Sequence, residues 1–207
     1  LASSEVNSRA SERVLNGENL SPGISVLNIN NIAYWIGKDG AYTTAGSPNG
    51  TMADYPIFTG GFIYSDGMLW GAKVKGDGQG DEVRVGGSTY NHGLKAGRII
   101  TDASGAVLGS DDPINNHVWR VRKDWASADL TVDAANYYAV GTGDVSAAQI
   151  AVVKNQYEYD WYNWPAAWGA PYHDVNGDGS YDPAVDVPGY PGADQTMWTV
   201  ANDVPLI

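Results

Sequence analysis

The stretch Asp174-Val175-Asn176-Gly177-Asp178-Gly179-Ser180-Tyr181-Asp182-Pro183-Ala184-Val185-Asp186 puts oxygen-bearing side chains at its first, third, fifth, seventh, ninth and thirteenth positions. Calcium is a hard cation that takes oxygen ligands. A loop that wraps it from positions 1, 3, 5, 7 and 9 needs a glycine at position 6 for the sharp turn. Asp174, Asn176, Asp178, Gly179, Ser180 and Asp182 stand in the corresponding places in order. The spacing predicts a calcium loop with Asp174, Asn176, Asp178, Ser180, Asp182 and Asp186 as metal ligands. Carboxylates this close repel one another unless a cation lies among them. The competing reading is an ordinary turn rich in Asp, Asn and Gly with its aspartates solvated.

One departure sets the kind of loop. Position 12 of an EF-hand loop carries a bidentate Glu, but here it is Val185, and Asp186 one place later is the expected substitute. Together with Pro183 inside the loop, this does not suit the helix-loop-helix of a sensor. It suits an EF-hand-like loop of an extracellular module, which holds a turn rigid rather than switching.

The charge balance around the loop points the same way. The 207 residues carry a formal charge of −12, and no Lys or Arg follows Lys154, whereas Glu158, Asp160, Asp174, Asp178, Asp182, Asp186, Asp194 and Asp203 do. An unopposed acidic field disfavours nucleic acid and anionic membranes and attracts divalent cations. Cysteine is absent, which excludes disulfides, thiolate metal sites and a Cys nucleophile. No apolar run is long enough for a membrane span. The opening Leu1-Ala2-Ser3-Ser4 is expected to be a mature end left by processing. With 43% hydrophobic residues, 13 Tyr and 8 Trp against 2 Phe, the composition suits a turn-rich extracellular β protein whose aromatic rings keep a polar tip in water.

Upstream of the loop, residues 3–16 read as a short helix on an N-terminal arm. Ile24 to Ile36, rich in β-branched and aromatic residues, is predicted to be one strand bent at Asn30-Asn31. Further strands are predicted at 57–64, 68–75, 82–90, 98–101, 106–108 and 117–122, and His117-Val-Trp-Arg-Val-Arg122 alternates as a half-buried strand does. Thr131 is expected to cap a short helix through Ala139. Ser146 with Gln149 forms a capping box for a longer helix from Ala147 to about Trp161, packing through Ile150, Val153, Tyr157 and Trp161. Residues 166–190 read as loop, and Gln195 to Ala201 as a last strand.

For catalysis the chain offers His92, His117 and His173, with neither a GxSxG elbow nor an HExxH pair. His173 is expected to pack beside the loop rather than act as a ligand, and Asp77 with Asp81 to sit at a plain hairpin tip. The cluster Tyr157, Tyr159, Trp161, Tyr162, Trp164, Trp168 and Tyr172 allows a second reading, in which Trp161, Trp164 and Trp168 bind a carbohydrate by stacking. The same rings also serve as core.

Several strings resemble the N-terminal part of large secreted surface proteins of the Bacteroidota and Ignavibacteria group, of the kind exported by the type IX system. They are Asn28 to Ile32, Gly67 to Val74, Arg84 to Tyr90, Trp119 to Trp125, Asp160 to Pro165, and the run from Gly169 through Tyr172 as far as Asp203. The calcium loop also resembles thrombospondin type 3 and dockerin loops at Asp174, Asn176, Asp178 and Asp182, although a dockerin carries two such loops. The chain departs from the secreted group in lacking its C-terminal sorting domain, which implies a fragment or a short stand-alone version.

The resulting expectation is a mainly β fold, an antiparallel β-sandwich-like domain over 23–207 with one or two helices and a long calcium-stapled C-terminal loop. Residues 1–22 would be an arm and 146–207 a calcium-loop subregion. The expected function is that of an extracellular calcium-binding structural subunit of a surface layer or filament, non-catalytic, with other copies of itself as partners. The alternative is a carbohydrate-binding module of a larger secreted protein.

Overall fold

The computed structural model describes residues 23–40, 50–67, 69–75, 81–87, 94–109 and 117–202. The helix expected over 3–16, His92 and Asp77 lie outside the described residues. Within them, the run read as one bent strand is a hairpin. Ile24–Leu27 (β1) and Ala33–Gly37 (β2) pair antiparallel, with Val26 opposite Trp35. The reversal comes at the polar residues: the Ile32 N–H donates to Asn30 Oδ1 at 2.9 Å, a side-chain turn of the kind Asn favours. Ala53–Asp54 (β3) and Gly61–Ile63 (β4) complete a four-stranded sheet in the order β1-β2-β3-β4.

The other described strands form two-stranded antiparallel sheets. Leu69–Lys75 (β5) pairs with Asp81–Gly87 (β6). Lys95–Ala96 (β7) pairs with the late Ala201–Asn202 (β14), and Ile100–Thr101 (β8) with Val107–Gly109 (β9). Trp119–Arg122 (β10) pairs with Gln195–Trp198 (β13), and Tyr172–His173 (β11) with Val187–Pro188 (β12). The helices are Thr131–Tyr138 (α1) and Ala147–Tyr162 (α2). No described helix is long and apolar enough to cross a membrane.

Among the described residues the architecture is thus mixed, several small antiparallel sheets and two α-helices, with no two large sheets facing each other. The reason is visible in β10. Alternation predicted one wet face for it, yet Trp119, Arg120 and Val121 are all buried. Helix α2 packs on β10, and β1 touches both β10 and β13. Trp119 and Val121 belong to a second cluster with Trp164 and Ala170. A short strand covered by a helix on one side and aromatic rings on the other needs no second sheet. The subregion 146–207 therefore shares its core with the preceding chain.

Helix α2 starts as its sequence predicts. The Gln149 N–H donates to Ser146 Oγ at 3.2 Å and the Ser146 N–H to Gln149 Oε1 at 2.8 Å, which satisfies two orphan donors of the first turn. Its buried stripe is Gln149, Val152, Val153, Gln156, Tyr157 and Asp160, rotated from the one expected. Apolar ranking misplaced it because half of the buried side chains are polar. Helix α1 begins after Leu130, with Thr131 already helical; Asp129 Oδ1 accepts the Thr131 N–H at 3.0 Å and its hydroxyl at 2.6 Å. Leu130, Ala134 and Tyr138 of this region pack against Val152, Val153 and Tyr157. Because α2 packs on β10 and α1, fraying its start is felt globally. Ser146→Ala is expected to cost about 1 kcal/mol, read as a lower urea midpoint with an unchanged slope.

Candidate metal centre

Residues 174–186 leave the fold at β11 and return at β12, so the pair Tyr172↔Pro188 and His173↔Val187 closes the stem of the loop. Inside it each carboxylate is turned onto backbone. Asp174 accepts the Gly177 N–H at 2.7 Å through Oδ1 and the Gly179 N–H at 2.8 Å through Oδ2. Asn176 Oδ1 accepts the Asp178 N–H at 3.1 Å, and Asp178 Oδ1 the Ser180 N–H at 2.8 Å. Asp182 Oδ1 accepts the Ala184 N–H at 2.9 Å. Gly177 and Gly179 sit at φ +74° and +78°, a left-handed conformation that residues with a Cβ resist. That is the physical reason for glycine at position 6.

At the end of the loop the chain turns Val185 outward and Asp186 inward. The N–H groups of Val185 and Asp186 both donate to Asp182 O, and this turn through Pro183 leaves Val185 exposed while Asp186 is 2% exposed. Asp186 Oδ1 accepts the Val175 N–H at 2.9 Å and Oδ2 the Asp182 N–H at 2.8 Å. One side chain therefore ties the entry of the loop to its exit.

Below the loop, Tyr172 and Tyr181 meet edge to face at 5.4 Å. The Tyr181 hydroxyl donates to Trp161 O at 2.5 Å, and the Trp161 Nε1–H to Pro183 O at 3.1 Å. Burial pushes both phenols above their ordinary pKa, Tyr172 further through the charges of Asp174, Asp186 and Asp178, and Tyr181 through Asp186 and Asp182. The Gly179 N–H above all, joined by that of Gly177, holds Asp174 below the usual carboxylate range against the opposing effect of burial. Among the described residues no Lys or Arg is ion-paired with these aspartates. His173 is exposed on β11.

The donor set is all oxygen, as calcium requires, and a carboxylate oxygen that accepts one N–H keeps a further lone pair. Asp174, Asn176, Asp178, Ser180, Asp182 and Asp186 could therefore hold the ion. Among the described residues no three His, Asp or Glu side chains converge on one point where a metal would sit. Asp178 Oδ2, for instance, accepts from Asn176 Nδ2 at 2.9 Å.

Trp161, Trp164 and Trp168 do not share an exposed face. Trp164 is 4% exposed, and its Nε1–H donates to Pro171 O at 2.8 Å. Trp161 is engaged by the loop, and the Arg98 guanidinium lies 4.5 Å above the Trp168 ring. Trp164 belongs to the buried cluster with Trp119, Val121 and Ala170, and Trp168 packs against it partly buried.

Sequence reasoning missed a buried polar network beside the loop. His117 Nε2 and Asp160 Oδ1 are 2.6 Å apart, and Asp160 Oδ2 accepts the Arg120 N–H at 2.7 Å. The Tyr157 hydroxyl donates to Asp133 Oδ1 at 2.5 Å and accepts from Gln195 Nε2 at 2.7 Å. Burial pushes the Tyr157 phenol far up, aided by Asp133 and opposed chiefly by Arg120. Only the polar residues inside α2 hinted at it. Comparison of the chain with protein-family models, with curated proteins and with solved structures gives no match.

Proposed function

We propose that the protein is a non-catalytic extracellular structural module, a subunit of a surface layer or filament, whose loop 174–186 is pinned by calcium. The observation that carries this reading is the loop itself: oxygen donors at positions 1, 3, 5, 7, 9 and 13 on a left-handed glycine turn, with no basic side chain paired to its aspartates among the described residues. Calcium bound there would neutralise their mutual repulsion and let the stem, Tyr172 and Tyr181 hold one arrangement. The resemblance of the quoted strings to secreted surface proteins supports the extracellular setting and assembly with further copies.

The test is a thermal melt of chelator-treated protein with increasing calcium. At a free concentration about ten times Kd, mass action adds about 1.4 kcal/mol. For a chain of this size that is a rise in Tm of about 3–6 °C. Asp178→Ala is expected to abolish the rise. A wild-type protein whose Tm does not move with calcium overturns the proposal.

A further inference from the structure

The stretch Tyr55-Pro-Ile-Phe-Thr-Gly-Gly-Phe-Ile-Tyr64 holds both phenylalanines of the chain and no charged side chain. Phenylalanine has no polar tip to keep wet and ordinarily goes inside. Here Phe58 is 41% and Phe62 50% exposed, with Tyr55 at 54% and Tyr64 at 72%. The interior takes Ile57 instead, which packs against Val26, Ala33 and Trp35.

The backbone that presents these rings is pinned from behind. Ala53 pairs with Ile63 and Asp54 with Gly61, so Phe62 is the extra residue of a β-bulge, a device that re-aims a side chain. A Cβ on Gly61 would lie 2.1 Å from Thr51 Cγ2. The strand is therefore pressed onto Thr51, whose hydroxyl donates to Asp54 Oδ1 at 2.9 Å. The β3–β4 turn is closed by the Tyr55 N–H, which donates to Gly60 O at 3.1 Å, and tied to the β1–β2 turn by the Ile57 N–H, which donates to Asn31 O at 3.1 Å. Within that turn Phe58 is held at φ +67°, a backbone conformation glycine adopts freely and phenylalanine does not.

Shape, area and charge narrow the occupant. Tyr55 and Phe62 meet edge to face, their centroids 6.0 Å apart and their planes at 66°. They touch, so they make a ridge and not the groove between rings that a proline-rich peptide enters. Four rings exposed to this degree offer on the order of 400 Å², half of the roughly 800 Å² that each partner buries in a stable protein–protein interface. A lipid surface is held by basic side chains around the apolar ones, and this stretch has none. What it does offer is ring faces and two phenol hydroxyls, those of Tyr55 and Tyr64, that bond to no other described residue. A sugar is the complement, with a face of C–H groups that lies on a single ring and a rim of hydroxyls that donate and accept. We infer that this ridge binds a neutral oligosaccharide, Tyr55 and Phe62 each stacking on one sugar face and the Tyr64 hydroxyl bonding the rim. Inclined rings fit a single twisted chain, whereas a flat crystalline polysaccharide needs coplanar ones. This is a different site from the tryptophans to which the sequence pointed, and it stands independently of calcium.

Saturation-transfer NMR on the full chain tests it, with cello-, xylo-, chito- and laminari-tetrasaccharides as probes, each at about 10 mM, above the millimolar Kd of a weak site, and a proline-rich peptide as comparison. Transfer to at least one tetrasaccharide is expected, equally with calcium and with chelator. Phe62→Ala should melt within about 2 °C of wild type, as exposed substitutions do, and bind at least about tenfold more weakly. Tyr64→Ser should give a similar loss and decides the matter if Phe62→Ala melts lower. Tyr190→Ala removes a ring that is 69% exposed elsewhere and should leave binding unchanged. No transfer to any of the four sugars, transfer to the peptide alone, transfer undiminished in both ridge variants, or an equal loss in Tyr190→Ala overturns the inference.

Discussion

Replacing Asp160 by Ala is expected to destabilise the protein by about 3–5 kcal/mol, because two buried groups lose their acceptor at about 1–3 kcal/mol each and a cavity is left behind. Asp160 is wholly buried on α2, and its carboxylate joins three parts of the structure: its own helix, His117 before β10, and the Arg120 N–H within β10. Truncation leaves the imidazole and the peptide N–H without an acceptor and opens a cavity between helix and strand. Asp160→Asn separates charge from hydrogen bonding. Its Oδ1 can accept from Arg120, and its Nδ2 can donate to His117 Nε2 once the imidazole carries its proton on Nδ1, an atom with no partner in the structure. The cost of the Asn variant should accordingly be well under half that of Ala.

The same pair of variants gives a pH test with a definite sign. Burial raises the Asp160 pKa, against the opposing pull of His117 and Arg120, while an unfolded Asp titrates near 3.9. Above about pH 3.9 the folded state therefore binds more protons at this site than the unfolded state, and stability falls as pH rises through the window up to the raised value. Asn removes that slope. The cost of Asp160→Asn relative to wild type should be largest near about pH 3 and shrink as pH rises, measured by urea unfolding at each pH. A cost that grows with pH would show that His117 and Arg120 outweigh burial.

What the sequence disclosed divides along the distance over which each feature is made. The capping box at Ser146 and Gln149 and the spacing of Asp174 to Asp186 are local, and both were legible residue by residue. The β1–β2 hairpin was half legible: its apolar residues announced strand, but the reversal depended on the turn chemistry of Asn30, which an apolar run concealed. The interior was not legible. Arg120 looked like the wet side of an alternating strand, yet it is buried with Nη1 donating to Val26 O at 2.9 Å and its guanidinium 4.5 Å above Tyr157. Gln195 looked like the start of an ordinary strand, and it also bonds to Asn28, 167 positions away, and to Tyr157. Polarity lowers the apparent burial of such residues, and the partners that satisfy them lie too far along the chain for periodicity to reveal.

Replacing Asp186 by Ala is expected to cost about 2–4 kcal/mol, most of it local to residues 172–188. An orphaned donor costs about 1–3 kcal/mol, and this one carboxylate accepts from both Val175 and Asp182. Water can reach those N–H groups once the loop opens, which limits the loss, but opening also releases Pro183 O from the Trp161 indole and loosens Tyr181 over α2. Amide exchange of Val175 and Asp182 should accelerate together, and Trp161 fluorescence should move toward that of a wetter indole, while exchange in β1 and β2 stays slow. Asp186→Asn, which keeps one acceptor and turns a donor toward the other N–H, should cause an intermediate loss. Because Asp186 is also the proposed closing ligand, the calcium-dependent rise in Tm should weaken in the order wild type, Asn, Ala. A loss under about 0.5 kcal/mol with unchanged exchange at Val175 would mean that the stem β11–β12 and not this side chain holds the loop, and the assignment of Asp186 as its clamp would fall.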